Sequence, residues 1–253
     1  MFEDSLQERA ERLAQTRFLG GPTYDFERMG RAGLEVLLRE GLTPSSRVLD
    51  VGCGALRLGY WLMRFLDPGC YFGIEPNQDM LNVGLQELIE PEVVERAEAH
   101  FDFNDDFDFS VFGESFDFVV ARSIWTHASK AQIGAMLASF AAASAPGGVF
   151  MASYYPAGAW FKVGHRWPRL ESLVTSLPLA GVSPILASLP SVGRSNEYDD
   201  DTWIGRSHES ADPGVIKHSL RWVAGEASRH GLTVQLMPYR VLHHQYWLRI
   251  ARM

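Results

Sequence analysis

Residues 48–59 read VLDVGCGALRLG. A short apolar run (Val48, Leu49, Val51) carries one acid, Asp50, and breaks at Gly52-Cys53-Gly54 before a helical pattern begins. Strand, glycine turn and helix in that order make the place where an open α/β sheet holds a nucleotide-like ligand. Gly52 and Gly54 carry no Cβ, so the backbone can turn tightly and approach a ligand closely. The third glycine of the dinucleotide fingerprint G-x-G-x-x-G is missing, because its slot falls on Arg57, and a pyrophosphate therefore fits poorly. The next apolar stretch, Tyr71-Phe72-Gly73-Ile74, ends in Glu75. That acid comes about 20 residues after the turn, the spacing of a carboxylate that grips ribose hydroxyls.

Outward from this run, strands alternate with helices. The pattern predicts helices over 5–18 and 26–40, a strand at 47–51, a helix at 56–66, a strand at 71–75 and a helix at 78–89. Strands at 100–103 and 116–121, a helix at 130–144 and a strand at 149–153 follow. Asp67-Pro68-Gly69 and Ala145-Pro146-Gly147-Gly148 read as turns. Such alternation calls for a mostly parallel sheet covered on both faces. The beat fails between Tyr154 and Asp212, a segment rich in proline and aromatics with an acidic run, Asp199-Asp200-Asp201. A helix at 214–230 and strands at 232–237 and 244–250 close the chain. The expected division is an N-terminal helical segment (1–25), a core (26–154), an insertion (155–212) and a closing helix and hairpin (213–253).

Composition narrows the class. Over 253 residues, 46% are hydrophobic and 21% charged, which fits one α/β domain with an insertion. A net charge of −8 argues against nucleic acid or an anionic membrane as a general partner. Cys53 and Cys70 are the only cysteines and read as reduced, buried thiols without zinc-ligand spacing. No apolar run approaches the ~18 residues of a membrane span. The opening MFEDSLQERAERL is charged and helical rather than a signal core, so a cytoplasmic protein is expected.

A ribose without a pyrophosphate points to S-adenosylmethionine. The runs VLDVGCG (48–54), YFGIEPN (71–77), SFDFVVARSIWTH (115–127) and APGGVF (145–150), in this order and spacing, resemble class I S-adenosylmethionine-dependent methyltransferases. The run GCGALRLGYWLMRFLDPGCYFGIEPN looks closest to bacterial members that modify small molecules. The resemblance implies a Rossmann-like seven-stranded sheet of order 3-2-1-4-5-7-6 with the last strand antiparallel and an insertion after strand 5. It also implies S-adenosylmethionine as cofactor and S-adenosylhomocysteine as product.

Cofactor residues expected from the residues and the resemblance are Asp50, Gly52, Cys53, Gly54, Arg57, Glu75, Pro76, Asp105, Asp106 and Arg122. Glu75 either binds the ribose or caps the following helix. Asp50 either helps hold the methionine amino group, as the resemblance implies, or pins the loop. The resemblance assigns adenine recognition to the acids after the third strand, Asp105 before Asp106. Arg57, a cation opposing the helix macrodipole, needs an anionic partner; the methionine carboxylate, Asp50 or a surface acid are the options.

Methyl transfer from a sulfonium is an in-line displacement, in which the protein positions the nucleophile and excludes water. His127, after strand four, is the candidate base, since an imidazole takes a proton near neutral pH; a structural role is the alternative. Trp125, Tyr154, Tyr155, His165, Tyr198, Trp203 and His244 are the candidate acceptor residues, Trp125 also reading as core. The insertion is expected to cap the acceptor or to contact a second subunit, which would make a homodimer. No metal is expected. Ala121-Arg122-Ser123-Ile124 lacks both the Pro-Pro-aromatic run of amino-methylating DNA enzymes and the acidic ligand of catechol enzymes, and neither cysteine is placed for pyrimidine carbon-5 chemistry. Two roles fit: an enzyme methylating oxygen or nitrogen on a small organic acceptor, or a non-catalytic S-adenosylmethionine-binding subunit acting through a partner protein. A nicotinamide dehydrogenase is disfavoured by Arg57.

Overall fold

The computed structural model describes residues 4–156, 216–240 and 245–253. Its elements are α1 (Leu6–Leu13), α2 (Phe26–Arg39), β1 (Val48–Val51), α3 (Gly59–Phe65), β2 (Tyr71–Ile74), α4 (Gln78–Val83), α5 (Pro91–Ala97) and β3 (His100–Asp102). They continue with β4 (Phe116–Ala121), α6 (Lys130–Ala143), β5 (Ser144–Tyr154), α7 (Leu220–Arg229), β6 (Leu232–Arg240) and β7 (Tyr246–Arg252). The strands form one sheet of order β3-β2-β1-β4-β5-β7-β6. β7 runs antiparallel between β5 and β6, as expected for the last strand, and the ladders joining β3, β2, β1, β4 and β5 are parallel.

Alternation along each strand builds two cores. Val48, Phe118, Val120, Val149 and Met151 face one layer, with α1 to α5. Leu49, Val51, Val119, Ala121, Phe150, Ala152, Leu248 and Ile250 face the other, where α6 and α7 supply Ile133, Met136, Leu137, Phe140, Val223 and Ala227. Side chains two apart share a face, which is why these strands read as continuous apolar runs in sequence. Asp50 is the exception: a buried acid in a central strand, on the same side as Val48.

Local chemistry sets the helix starts. Ser5 with Glu8 and Ser129 with Gln132 form reciprocal capping boxes at α1 and α6, and the Ser219 hydroxyl accepts from the Trp222 N–H at α7. α1 docks through Arg9, whose guanidinium donates to the Leu88 carbonyl at 2.8 Å and faces Glu90.

The structure corrects several boundaries. The helix expected at 5–18 stops at Leu13, and the one expected from 56 begins at Gly59, because the chain turns through a left-handed Leu56. α4 passes into a π-turn at Gly84–Leu88, where the missing side chain of Gly84 lets it lie against the Ala55 backbone. α5 and a 3-10 turn at Phe109–Phe112 had no predicted counterpart. Ala145 to Gly148, read as a turn, lie inside β5 as a bulge between the pairs Phe116–Ser144 and Phe118–Val149. The closing helix begins at Leu220 rather than 214. Apart from Tyr155 and Pro156, the insertion lies outside the described residues, and with it His165, Tyr198, Trp203 and the acidic run; His244 lies outside them too.

Candidate cofactor and active site

β1 leaves the sheet through three residues with positive φ: Gly52 (67°), Gly54 (56°) and Leu56 (60°). At Gly52 a Cβ would stand 2.2 Å from Ile124 Cδ1, so the position has no room for a side chain. The Gly54 N–H donates to Glu75 Oε2 at 2.9 Å, and the Asn77 N–H donates to Oε1 at 2.9 Å. Glu75 is thus fixed at the end of β2, buried against the turn that follows β1. It does not cap α4; Asn77 does, its side chain accepting from the Met80 N–H. A carboxylate only accepts hydrogen bonds, which is the chemistry that sugar hydroxyls call for. Cys53 is buried beside them, its thiol pushed up by burial, and Pro76 is partly buried.

Asp50 lies one layer below. The Tyr71 hydroxyl donates to Asp50 Oδ2 at 3.0 Å, a contact permitted by Gly59, where a Cβ would sit 2.6 Å from that hydroxyl. Burial pushes the Asp50 carboxyl up to about 7, against the opposing pull of the Tyr71 bond and the Arg122 charge.

The two arginines of the site behave differently. Arg57 turns away from Asp50: Nη2 donates to the Gly20 carbonyl at 2.7 Å, Nη1 to that of Gly21 at 3.1 Å, and its guanidinium lies 4.6 Å over the Phe26 ring. Burial lowers it to about 9. Its hydrogen-bond partners here are backbone carbonyls rather than Asp50 or a surface acid, and it ties the segment before α2 to the glycine turn. Arg122 follows β4, its stem 3.8 Å from where a Cβ on Gly33 of α2 would be. Its Nε and Nη2 are buried with no hydrogen-bond partner, and burial lowers it to about 10.

Beyond Arg122, Ser123 takes a φ of 61°, and a polar ring holds it there. The Ser123 N–H donates to Ser153 Oγ (2.7 Å), which donates to Gln245 Oε1 (2.7 Å), while Gln245 Nε2 donates to Ser123 Oγ (3.0 Å). His127 sits in the turn that follows, partly exposed, its N–H donating to the Ile124 carbonyl at 2.9 Å. The chain on either side of residues 157–215, at Tyr155 and at Ile216 to His218, is fastened here. The Ile216 N–H donates to Thr126 O (2.8 Å), the His218 N–H to Tyr155 O (2.9 Å), and His218 Nε2 pairs with Ala128 O (2.9 Å).

Of the acceptor candidates in the described residues, only Tyr155 keeps exposure. Trp125 is fully buried edge-on to Phe150, and Tyr154 is fully buried, so both take core positions in this structure. Asp105 and Asp106 are exposed; Asn104 organises their loop, bonding Asp102 Oδ1 and the Asp108 carbonyl. Tyr71, Ser153 and Gln245 escaped the sequence reading. Tyr71 had one usable signal, a large polar aromatic opening a buried strand beside an acid-bearing one.

The fold sets the glycine turn and the buried Glu75 at the carboxyl ends of β1 and β2, the place where open α/β sheets hold nucleotide-like ligands. Residues 48–148 match the family model described as a methyltransferase domain. Solved structures share the fold at low identity. Magnesium protoporphyrin IX methyltransferase from Synechocystis PCC 6803 with bound SAH is 14% identical, covering 97% of this chain and 93% of that one at a TM-score of 0.55. The glycopeptide N-methyltransferase MtfA is 17% identical, with 95% and 96% covered and a TM-score of 0.56. The DhpI–SAH complex is 17% identical, with 98% and 93% covered and a TM-score of 0.53. No curated protein matches the sequence. The chain thus shares the fold of these methyltransferases, and its residues 48–148 carry the match to a methyltransferase domain. Among the described residues no helix is long and apolar enough to cross a membrane, and no cluster of acids, histidines and cysteines could hold a metal ion.

Proposed function

We propose that this enzyme methylates an oxygen or nitrogen of a small organic acceptor by in-line displacement. The observation that carries the cofactor half is the Glu75 carboxylate bonded to the Gly54 N–H at the mouth of the β1 turn. Glu75 would take the ribose hydroxyls, Gly52 and Gly54 would let the backbone approach the ligand, and Asp50 would be neutralised by the methionine ammonium. S-adenosylmethionine supplies an electrophilic methyl on a sulfonium. The protein's task is to hold the acceptor near attack distance in a dry cleft.

His127 is proposed as the base that removes the acceptor's proton at the carboxyl edge of β4. Tyr155 and the insertion, 155–212, are proposed as the acceptor wall. Support comes from the pinning of Tyr155 and of Ile216 to His218, which flank the segment, beside the His127 turn and from the segment's aromatics Trp160, Phe161, Trp167 and Trp203. The similar solved enzymes named for a porphyrin and a glycopeptide are in keeping with an organic acceptor. Adenine recognition is proposed for the Asn104–Asp106 loop.

The test is release of S-adenosylhomocysteine, with mass detection of the methylated product, across a panel of phenols, carboxylic acids and amines. A product from one class supports the reading. No product from any, together with a stable complex with a partner protein, would replace it with the non-catalytic role.

A further inference from the structure

We infer that the Ser123 hydroxyl anchors the methyl acceptor by donating to a carbonyl or carboxylate oxygen beside the methylated atom, with Ser153 and Gln245 as the positioning residues that aim it. Resting on the proposed function, this assignment adds the feature that selects the substrate.

Register puts the ring on the face of the sheet that carries Asp50. Asp50, Val120 and Met151 form one row across β1, β4 and β5. Ser153 lies two residues beyond Met151 and shares that face, and its β7 partner Trp247 packs in the same layer. Two strand spacings, about 10 Å, separate β5 from the line of the glycine turn. The ring therefore flanks that turn on the β4–β5 side, where His127 stands.

Its hydrogen bonds run in one direction. The Ser123 N–H can only donate, and Ser153 Oγ accepts from it at 2.7 Å. The Ser153 proton goes on to Gln245 Oε1 at 2.7 Å, which orients the amide so that Nε2 donates to Ser123 Oγ at 3.0 Å. The Ser123 proton is the one left for a ligand: its contact within the ring is Oε1 at 3.2 Å, longer and on an oxygen already holding Ser153. Ser153 and Gln245 are buried while Ser123 is half-buried, so its hydroxyl is where the ring meets the outside. A donor at the end of such a chain is strengthened by the bonds behind it. Backbone conformation agrees. At a φ of 61° a serine stands where the backbone alone calls for glycine. Thr126 Oγ1 donates to the Ser123 carbonyl at 2.8 Å, so Ser123 and His127 belong to a single hydrogen-bonded turn. A donor at one end of the turn and the proposed base at the other suit an acceptor whose nucleophile loses a proton while its neighbouring oxygen is held.

Initial rates with S-adenosylmethionine test this on two matched pairs of acceptors, 2-hydroxybenzoate against phenol and 2-aminobenzoate against aniline. Wild type is expected to favour the carboxylate-bearing member of at least one pair by about 10-fold in kcat/KM, the scale of one hydrogen bond to a charged oxygen. Ser123→Gly relieves the positive φ and removes the hydroxyl. It is expected to erase the preference through the acceptor's KM, with S-adenosylhomocysteine affinity unchanged. Gln245→Glu, which has no N–H to donate, turns the Ser123 proton back into the ring and is expected to do the same. A ring that only braces the turn would leave the preference intact in Ser123→Gly, and that result overturns the anchor. A wild type that favours neither carboxylate, or that methylates other acceptors and neither pair, overturns it too while leaving the proposed function standing. No product from any acceptor overturns both. If Ser123→Gly does not fold, the wild-type ratio and Gln245→Glu decide the matter.

Discussion

The carboxyl edge of the sheet has two halves built in different ways. At β1–β2 the groups that matter are close in sequence and tied by backbone: Gly54 to Glu75, Asn77 to Glu75, Tyr71 to Asp50. At β4–β5–β7 they are far apart and tied by side chains, with Gln245 reaching both Ser123 and Ser153. The ties of the first half all lie within one βαβ unit. The second needs the completed sheet and borders the insertion, so under the proposed function acceptor choice could change there without disturbing the cofactor.

Substitutions separate the halves. The largest expected effect is His127→Ala, which should lower turnover by about 10²–10⁴-fold at unchanged cofactor affinity, as loss of a base does; a near-normal rate across a pH series would remove His127 from the chemistry. Next is Gly52→Ala, which puts a Cβ on Ile124 at positive φ and should cost about 2–4 kcal/mol of stability in denaturant titration. Glu75→Ala should weaken S-adenosylhomocysteine binding by about 1–3 kcal/mol, with turnover at saturating cofactor less affected.

Asp50 adds a pH dependence confined to the first half. Its carboxyl rises to about 7 on folding, so without ligand the folded state holds the proton that the unfolded state has lost. Its contribution is therefore most favourable below the ordinary carboxylate range, and stability is lost as pH rises from there towards 7. An ammonium beside Asp50 reverses that preference. Cofactor affinity should accordingly rise about tenfold between about pH 6 and 8 with release of a proton, and Asp50→Asn should flatten the profile. Titration in buffers of different ionisation heat reads the proton directly. The smallest effect is Gln245→Ala, about 1 kcal/mol of stability from two orphaned serines, with cofactor affinity unchanged; a matching loss of affinity would show the halves to be coupled.

The same division explains what was legible. Glycine turn, acid and strand spacing are local, so β1, β2 and Glu75 could be read from pattern, whereas alternation gave only a parallel sheet and the strand order came from the resemblance. Arg57 could be noticed but not placed, because its partners are carbonyls some 36 residues away, and carbonyls leave no mark in sequence. Trp125 and Tyr154 occupy the expected end of their strands but face the α6 core, a choice of side that a one-residue offset decides. The Ser123–Ser153–Gln245 ring joins three strands through residue types common on any surface, so pattern gave no warning of it.

The central claim is that the glycine turn after β1 and Glu75 at the end of β2 together receive an adenosyl group, and a crystal structure with S-adenosylhomocysteine tests it most directly. The account predicts both ribose hydroxyls within hydrogen-bond reach of Glu75. Product bound elsewhere, or Ile124 still seated across an empty glycine turn at saturating ligand, would contradict it.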